Sequence, residues 1–359
     1  MKNKIITIGF LAIIYGFFLT GLFTPDKEIS FSERRPLAAF PSLSVETAYN
    51  GEFMKDFDKY TTDHFPLRQG WRGAKAVCDL YVFRKQDNNR VYFAEGHILK
   101  IEYPLNSKSV ENFAAKLNGL YDTHLQGMAV YYGVIPDKNY FAAEKHGYPA
   151  LDYALMQGLL RDNIENMRYI DLFGVLTLDD YYRTDLHWKQ ENLNKVAEVL
   201  AREMDFALFE GGFTQSSHYP FYGAYYGQAA LPLKPDTLVW LSNGVIENAR
   251  VEHFEITCSS VYDLSKPGQI DSYDVFLSGA VPIVFITNES GPAEKELIIF
   301  RDSFAGSLAP LLLAGYGKIT LVDLRYMHSS LLPDFIEFAD QDVLFLLSTL
   351  IVNNSWLLK

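Results

Sequence analysis

Residues 296–307 read Glu296-Leu297-Ile298-Ile299-Phe300-Arg301-Asp302-Ser303-Phe304-Ala305-Gly306-Ser307. Four apolar residues in a row, without polar alternation, describe a strand buried on both faces, as in a parallel sheet covered by helices. A polar turn follows, and then a run with helical character. Strand, turn and helix in that order make half of a crossover unit.

The same grammar extends outward. Apolar runs at residues 91–93, 127–135, 169–172, 318–322 and 342–347 predict further strands. Helical spacing at 106–124, 154–166, 190–204 and 304–313 predicts the helices between them. Strands alternating with helices define an α/β sandwich with a mostly parallel sheet. Residues 206–272, rich in Tyr, Gly and Pro, break the rhythm and predict a β-rich insertion. Residues 50–84 place Phe53, Phe57 and Tyr60, then Trp71, Ala74, Cys78 and Tyr81, at helical spacing around a break at Pro66. They predict a helical N-terminal layer, preceded by an extended tether.

The first 24 residues differ from all of this. From Ile5 to Phe23 run 19 residues without a charge, after Lys2 and Lys4. A helix of that length spans roughly 28 Å, close to the hydrocarbon thickness of a bilayer. The positive-inside tendency keeps the N-terminus in the cytoplasm and exports the chain beyond Thr24. A cleaved signal peptide is the competing reading, but its apolar core is usually shorter and ends at a small-residue site. The expected organisation is therefore a signal-anchor at 1–24, a tether and helical layer at 25–88, and an α/β domain at 89–359 carrying the insertion.

Composition excludes several functions. The net charge is −12, and the first 23 residues hold two lysines and no acid, so the remainder carries −14. With a pI near 5.2 there is no basic surplus to displace counterions from a nucleic acid. Two cysteines, Cys78 and Cys258, cannot make a disulfide framework or a cysteine-based zinc site. A single bridge between them is allowed in an oxidising space, and two unpaired core thiols are the plainer expectation.

Two segments carry chemistry. In an open α/β sheet, ligands bind beyond the carboxyl ends of the strands. Ser303 stands at such an end, before a helix whose free N–H groups favour a developing oxyanion. The plainer reading makes it an N-cap. The second segment is Tyr182-Arg183-Thr184-Asp185-Leu186-His187-Trp188, just ahead of the helix at 190–204. If it is extended, Asp185 and His187 project to one side. Asp185 then accepts from His187 Nδ1 and leaves Nε2 as a general base. The plainer reading has both side chains capping backbone donors. Together the segments supply nucleophile, base and orienting carboxylate, and this route needs no metal or cofactor.

At this point the chain resembles the DHHW protein family, related to the alginate O-acetyltransferase AlgX/AlgJ group with its SGNH-hydrolase-like three-layer domain. The likeness rests on Arg183-Thr184-Asp185-Leu186-His187-Trp188 and Phe300-Arg301-Asp302-Ser303-Phe304. Weaker support comes from Glu33-Arg34-Arg35-Pro36-Leu37, Asp63-His64-Phe65-Pro66-Leu67-Arg68, Val134-Ile135-Pro136-Asp137-Lys138, Phe221-Tyr222-Gly223 and Val322-Asp323-Leu324-Arg325-Tyr326. The chain departs from the pattern at Leu186, where the family name implies His, and at Arg301, where common SGNH hydrolases carry Gly. The Asp/His pair precedes the Ser, as in the AlgX/AlgJ group. No Asn accompanies the possible oxyanion glycines, Gly279 and Gly223.

The resemblance implies an extracytoplasmic O-acetyltransferase or acetylesterase acting on a surface polysaccharide, supplied by a membrane-embedded O-acyltransferase. Ser303, His187 and Asp185 would be its triad. Trp188 and the tyrosines of 219–226, Tyr226 included, are candidates to stack on sugar rings, with core packing as the competing role. Arg183 and Arg325 are candidates for substrate anions, with salt bridging as the competing role. Lys138 reads as structural. The alternative function is a catalytically silent glycan-binding or scaffold partner of the acyltransferase. A metal-dependent deacetylase would need a His/Asp cluster that the sequence does not display.

Overall fold

The computed structural model describes residues 2–253, 260–289, 291–292 and 294–359. The chain forms two compact units, Met1–Asn89 with Tyr226–Lys234, and Arg90–Tyr225 with Pro235–Lys359.

The first unit begins with α1 (Lys2–Phe23), long and apolar enough to cross a membrane. A short ladder, β1 (Ile29–Ser30) with β2 (Arg35–Pro36), and helix α2 (Val45–Tyr49) occupy the expected tether. Helices α3 (Glu52–Asp63) and α4 (Arg68–Val77) follow, separated at Pro66 as the sequence predicts. The tether is latched rather than loose. Arg35 donates to both Asp63 oxygens, at 2.9 and 2.5 Å, and Glu33 accepts from Arg35 and Arg68 and pairs with Arg72. Local extended character in the sequence did not reveal these long-range ion pairs.

The second unit opens with a hairpin, β3 (Val91–Ala94) and β4 (His97–Lys100). Its main elements are α5 (Ser107–Leu120), β5 (Val130–Ile135), α6 (Asn139–Ala142), α7 (Tyr153–Asn163), β6 (Arg168–Ile170) and α8 (Asn194–Met204). The insertion holds β7 (Thr214–Phe221), α9 (Ala224–Ala229, which runs into the first unit), β8 (Asp236–Ser242) and α10 (Gly244–Asn248). β7 and β8 pair as an antiparallel ladder. Then come β9 (Arg250–His253), β10 (Ile283–Thr287), β11 (Glu296–Arg301), α11 (Ala305–Leu312), β12 (Lys318–Val322), β13 (Asp342–Ser348) and α12 (Thr349–Val352).

Seven strands form the main sheet in the order β6-β5-β13-β11-β12-β10-β9. The pairings from β6 to β12 are parallel, and β10 and β9 close one edge antiparallel. The sequence reading missed β10, because five residues bounded by loops carry no adjacent crossover helix to mark them.

The period-two alternation of strand side chains divides the core. Leu297 and Ile299 of β11 face α8 and α11, packing with Val196, Leu200, Leu308 and Leu312. Ile298 and Phe300 face the other way, with Phe113, Leu117, Met156 and Leu160 of α5 and α7. The result is three layers, helix–sheet–helix. Each fully buried Leu, Ile or Phe contributes about 1.5–3 kcal/mol. β11 lies at the centre of this sheet, and its carboxyl end is therefore the best-supported point on that edge.

Candidate functional site

Ser303 sits where β11 gives way to α11, partly accessible. The preceding Asp302 builds this turn. Its Oδ1 accepts from Phe304 N at 3.1 Å and its Oδ2 from Ser348 N at 2.8 Å. One buried carboxylate thus ties the ends of β11 and β13 together. Arg301, 2% exposed, lies behind the turn, and its Nη2 donates to the carbonyls of Gly279 and Val281 at 3.3 and 3.4 Å. Burial lowers its pKa.

Asp185 and His187 occupy a loop closed by an antiparallel bridge between Tyr181 and Trp188. The segment is a bend, not an extended strand. Asp185 Oδ1 accepts from His187 N at 2.9 Å and contacts His187 Nδ1 at 2.6 Å. The backbone cap and the ring contact are therefore one atom, so Asp185 caps a backbone donor as the plainer reading expects, whereas the His187 ring meets only side chains. The other oxygen, Oδ2, accepts from Ala224 N at 2.6 Å. His187 Nε2 lies 2.8 Å from Ser303 Oγ.

His187 is 6% exposed, and its imidazole stacks on Tyr273, with centroids 3.9 Å apart and planes 9° apart. Phe304 flanks it at 4.8 Å. Tyr273 Oη meets Ser307 Oγ at 2.9 Å, and Trp188 Nε1 donates to Ser307 Oγ at 2.9 Å and to Phe304 O at 3.0 Å. These buried hydrogen bonds fix the platform under the ring. Tyr273 lies in a single 3-10 turn, Ser272–Val275, and no local sequence signal marks it.

Lys138, buried after β5, anchors the loop from below. Its ammonium donates to the carbonyls of Ile98 (2.6 Å), Tyr182 (2.9 Å), Asp185 (2.9 Å) and Arg183 (3.3 Å). Burial pushes it down to about 7, with Asp185 acting in the opposite direction. Asp236 holds the loop from the other side, accepting from Arg183 N at 3.1 Å, Thr184 N at 2.7 Å and Thr184 Oγ1 at 2.6 Å. Lys138 is structural, as its sequence context implies. What the sequence could not show is that it grips the segment holding Asp185.

Several expected substrate contacts are corrected. Trp188 is fully buried and its N–H is bonded, so it cannot stack on a sugar. Gly223 N donates to Thr184 Oγ1 at 3.2 Å, and Gly279 N donates to Phe276 O at 3.2 Å. Neither is an open oxyanion donor. Gly223 is glycine because a Cβ there would collide with the Thr184 carbonyl, and Gly279 has φ +81° with the Asp274 carboxylate where a Cβ would stand. Arg325 is committed to Asp323 through two bonds, 2.9 and 2.6 Å. Tyr226 belongs to the first unit, where its hydroxyl donates to Leu233 O, whereas this site is built from the second. Arg183 keeps an exposed guanidinium beside Asp236, and Tyr219 is 62% exposed. Among the described residues no group of three His, Cys, Asp or Glu could hold a metal. Cys78 is exposed, and Cys258 with its pairing lies outside the described residues.

The arrangement can move a proton. A hydroxyl, an imidazole and a buried carboxylate stand in hydrogen-bonded series at the carboxyl edge of a parallel sheet.

No family model matches the sequence. Curated proteins give no match either. Solved structures do share the fold. A DHHW family protein from Eubacterium siraeum superposes with a TM-score of 0.61 at 19% identity, covering 74% of this chain and 92% of that one. Bacillus cereus PatB1, solved with a sulfonyl adduct, superposes at 0.57 with 15% identity over 73% of this chain and 95% of its own. A second structure of PatB1 gives 0.56 at 14% identity, over 73% and 96%. The fold is thus the SGNH-like α/β fold of DHHW proteins.

Proposed function

We propose that this chain is a membrane-anchored, extracytoplasmic O-acetyltransferase or acetylesterase of a surface polysaccharide. Ser303 is the nucleophile, His187 the general base and Asp185 the residue that orients it. The observation that carries the reading is the series Asp185 Oδ1–His187 Nδ1–His187 Nε2–Ser303 Oγ, at 2.6 and 2.8 Å.

In the first half-reaction, Nε2 takes the Ser303 proton as Oγ attacks the acyl carbonyl. The oxyanion meets N–H groups of Ser303 and Ala305, at the helix start where amides lack intrahelical acceptors. Nε2 then returns the proton to the departing group, leaving an acyl-serine. In the second half, a sugar hydroxyl gives its proton to Nε2 and attacks that ester. Water in place of the sugar makes the reaction hydrolysis. The acyl donor in this scheme is a membrane-embedded O-acyltransferase, and α1 keeps the enzyme beside it. The exposed Arg183 guanidinium and Tyr219 ring are the candidate glycan contacts.

The test uses the full chain in detergent with a chromogenic acetyl ester. Wild type should release acetate, and Ser303→Ala and His187→Ala should not. An aryl sulfonyl fluoride should inactivate wild type by modifying Ser303, located by peptide mass. Equal acetyl release by wild type and both variants excludes the triad. No release by any of them, with or without acceptor glycan, favours the silent scaffold.

A further inference from the structure

α4 and the single wide turn after it, Cys78–Val82, expose an apolar face. Leu67, Trp71, Ala74, Cys78 and Tyr81 recur every three or four residues, Val82 adjoins the last, and all are exposed. Leu67 is 75% exposed, Tyr81 65% and Val82 67%. The opposite face is occupied within the same unit. Ala76 is buried, Arg72 donates to Gly227 O at 2.6 Å, and a Cβ on Gly73 would touch Ala230 O. The face is therefore the outer side of a fixed helix. Lys75 interrupts it, but that lysine and Lys85 both pair with Asp79, at 2.7 and 2.8 Å.

The apolar face continues onto α1. Among residues 2–23 only Phe17 and Gly21, one turn apart, are half-buried. Phe17 stacks on Phe65 at 5.4 Å and meets Trp71 at 5.9 Å, and Gly21 approaches Pro66. Phe17 lies six residues before the end of α1, which is about 9 Å along its axis. An amphipathic helix lying in a membrane interface buries its apolar side roughly 5–10 Å below the headgroup level. The two depths agree.

We infer that the elbow at Phe65–Leu67 and the apolar face of α4 lie in the bilayer leaflet where α1 ends, with lipid as their occupant. The inference rests on the membrane-anchor reading of α1 and goes beyond it. The first unit is then not a free stalk. It fixes its own height and tilt at the membrane surface, with Trp71 and Tyr81 placed where interfacial aromatics are favoured.

The test is quenching of tryptophan emission in the full chain, reconstituted into phosphatidylcholine vesicles brominated near carbons 6 and 7 of the acyl chain. Wild type should be quenched about twofold more than Trp71→Phe, since the remaining tryptophans lie off this face. A Tyr15→Trp change in the Trp71→Phe background reports on α1 alone. Quenching of that variant, with wild type quenched no more than Trp71→Phe, overturns this inference and leaves the anchor standing. No quenching of either removes the anchor and the inference with it. Trp71 emission that is blue-shifted, unquenched and dependent on the protein-to-lipid ratio would assign the face to a second copy of the chain, also overturning it.

Discussion

The two compact units distribute charge and apolar surface in opposite ways. In the second unit a set of charged groups is inside: Lys138, Asp185, Arg301 and Asp302 are buried at the carboxyl edge of the sheet. Each meets backbone groups. In the first unit Leu67, Trp71, Tyr81, Val82 and Phe83 are exposed, while Glu33 and Asp63 are nearly enclosed by arginines. Buried charge is expensive, and a protein retains it where position matters more than stability. A contiguous exposed apolar patch is uncommon on a soluble surface, and is retained where it meets something other than bulk water, a partner or a membrane. The contrast separates a unit whose buried charges hold atoms in register from one that leaves a row of apolar side chains at its surface.

The largest effect expected from that contrast falls on Ser303. Ser303→Ala should lower kcat/KM at least about a thousandfold, and the Ser303→Ala/His187→Ala double variant should be no slower than either single one, because the residues act as a unit. Unfolding midpoints should stay near wild type, since Ser303 Oγ is partly accessible. A double variant whose losses multiply would break the series into independent groups.

Lys138→Met comes next, and here stability and activity should both fall. The unbranched stem is kept, but four carbonyl groups lose their donor. The expected cost is about 3–5 kcal/mol, comparable with removing one member of a buried ion pair. The pH signature distinguishes a positioning role from packing. With a native value near 7 against the usual 10.5, the unfolded chain binds a proton that the folded protein lacks between those values. Stability contributed by this group therefore rises with pH across the window. Activity should decline as pH rises through about 7, because a neutral amine offers two hydrogens instead of three to four oxygens. In Lys138→Met both slopes should vanish, as denaturant titrations and pH–rate profiles would show.

Gly223→Ala is a smaller and sharper test. The variant retains its N–H, so an oxyanion-donor role predicts little change. Close approach to the Thr184 carbonyl predicts displacement of the Asp185 loop and a loss on the order of a hundredfold in kcat. Wild-type turnover would mean that the Asp185 loop accommodates the added methyl, and would break the close-approach reading.

These cases show what was readable from residues alone. β11 and its turn were legible because an uninterrupted apolar run and a following helix are local signals. Asp185 and His187 were legible because they are two residues apart. Their meeting with Ser303 spans 116 residues and depends on the sheet order, which no spacing encodes. Trp188 and Arg325 fell to their competing readings, core packing and salt bridging, for a common reason. Residue type advertises what a side chain can bind, whereas burial and an existing partner decide what it does bind. Gly279 looked like a free amide for the same reason, until its N–H was found on Phe276. The DHHW resemblance identified the right fold, and the tether's ion pairs lay outside what composition can show.

The smallest effect concerns the first unit's latch. Bonding to the Arg35 guanidinium holds the Asp63 carboxyl down near 2, against an ordinary 3.8. A carboxylate with a lowered native value stabilises the folded state fully above its unfolded value, and loses that contribution as pH falls through the native one. The latch should therefore be intact at pH 5 and weaken between about 4 and 2. The expected contribution is roughly 1 kcal/mol, at the upper end for a pair near the surface, because two parallel bonds fix its geometry. Hydrogen exchange of the α3 and α4 amides, compared between wild type and Asp63→Asn, isolates it from other titrating carboxylates. The wild-type advantage should shrink across that window, while amides of β11 show no difference between the two proteins at any pH. An equal response in β11 would mean that the two units unfold as one, and that the contrast in their construction has no counterpart in their stability.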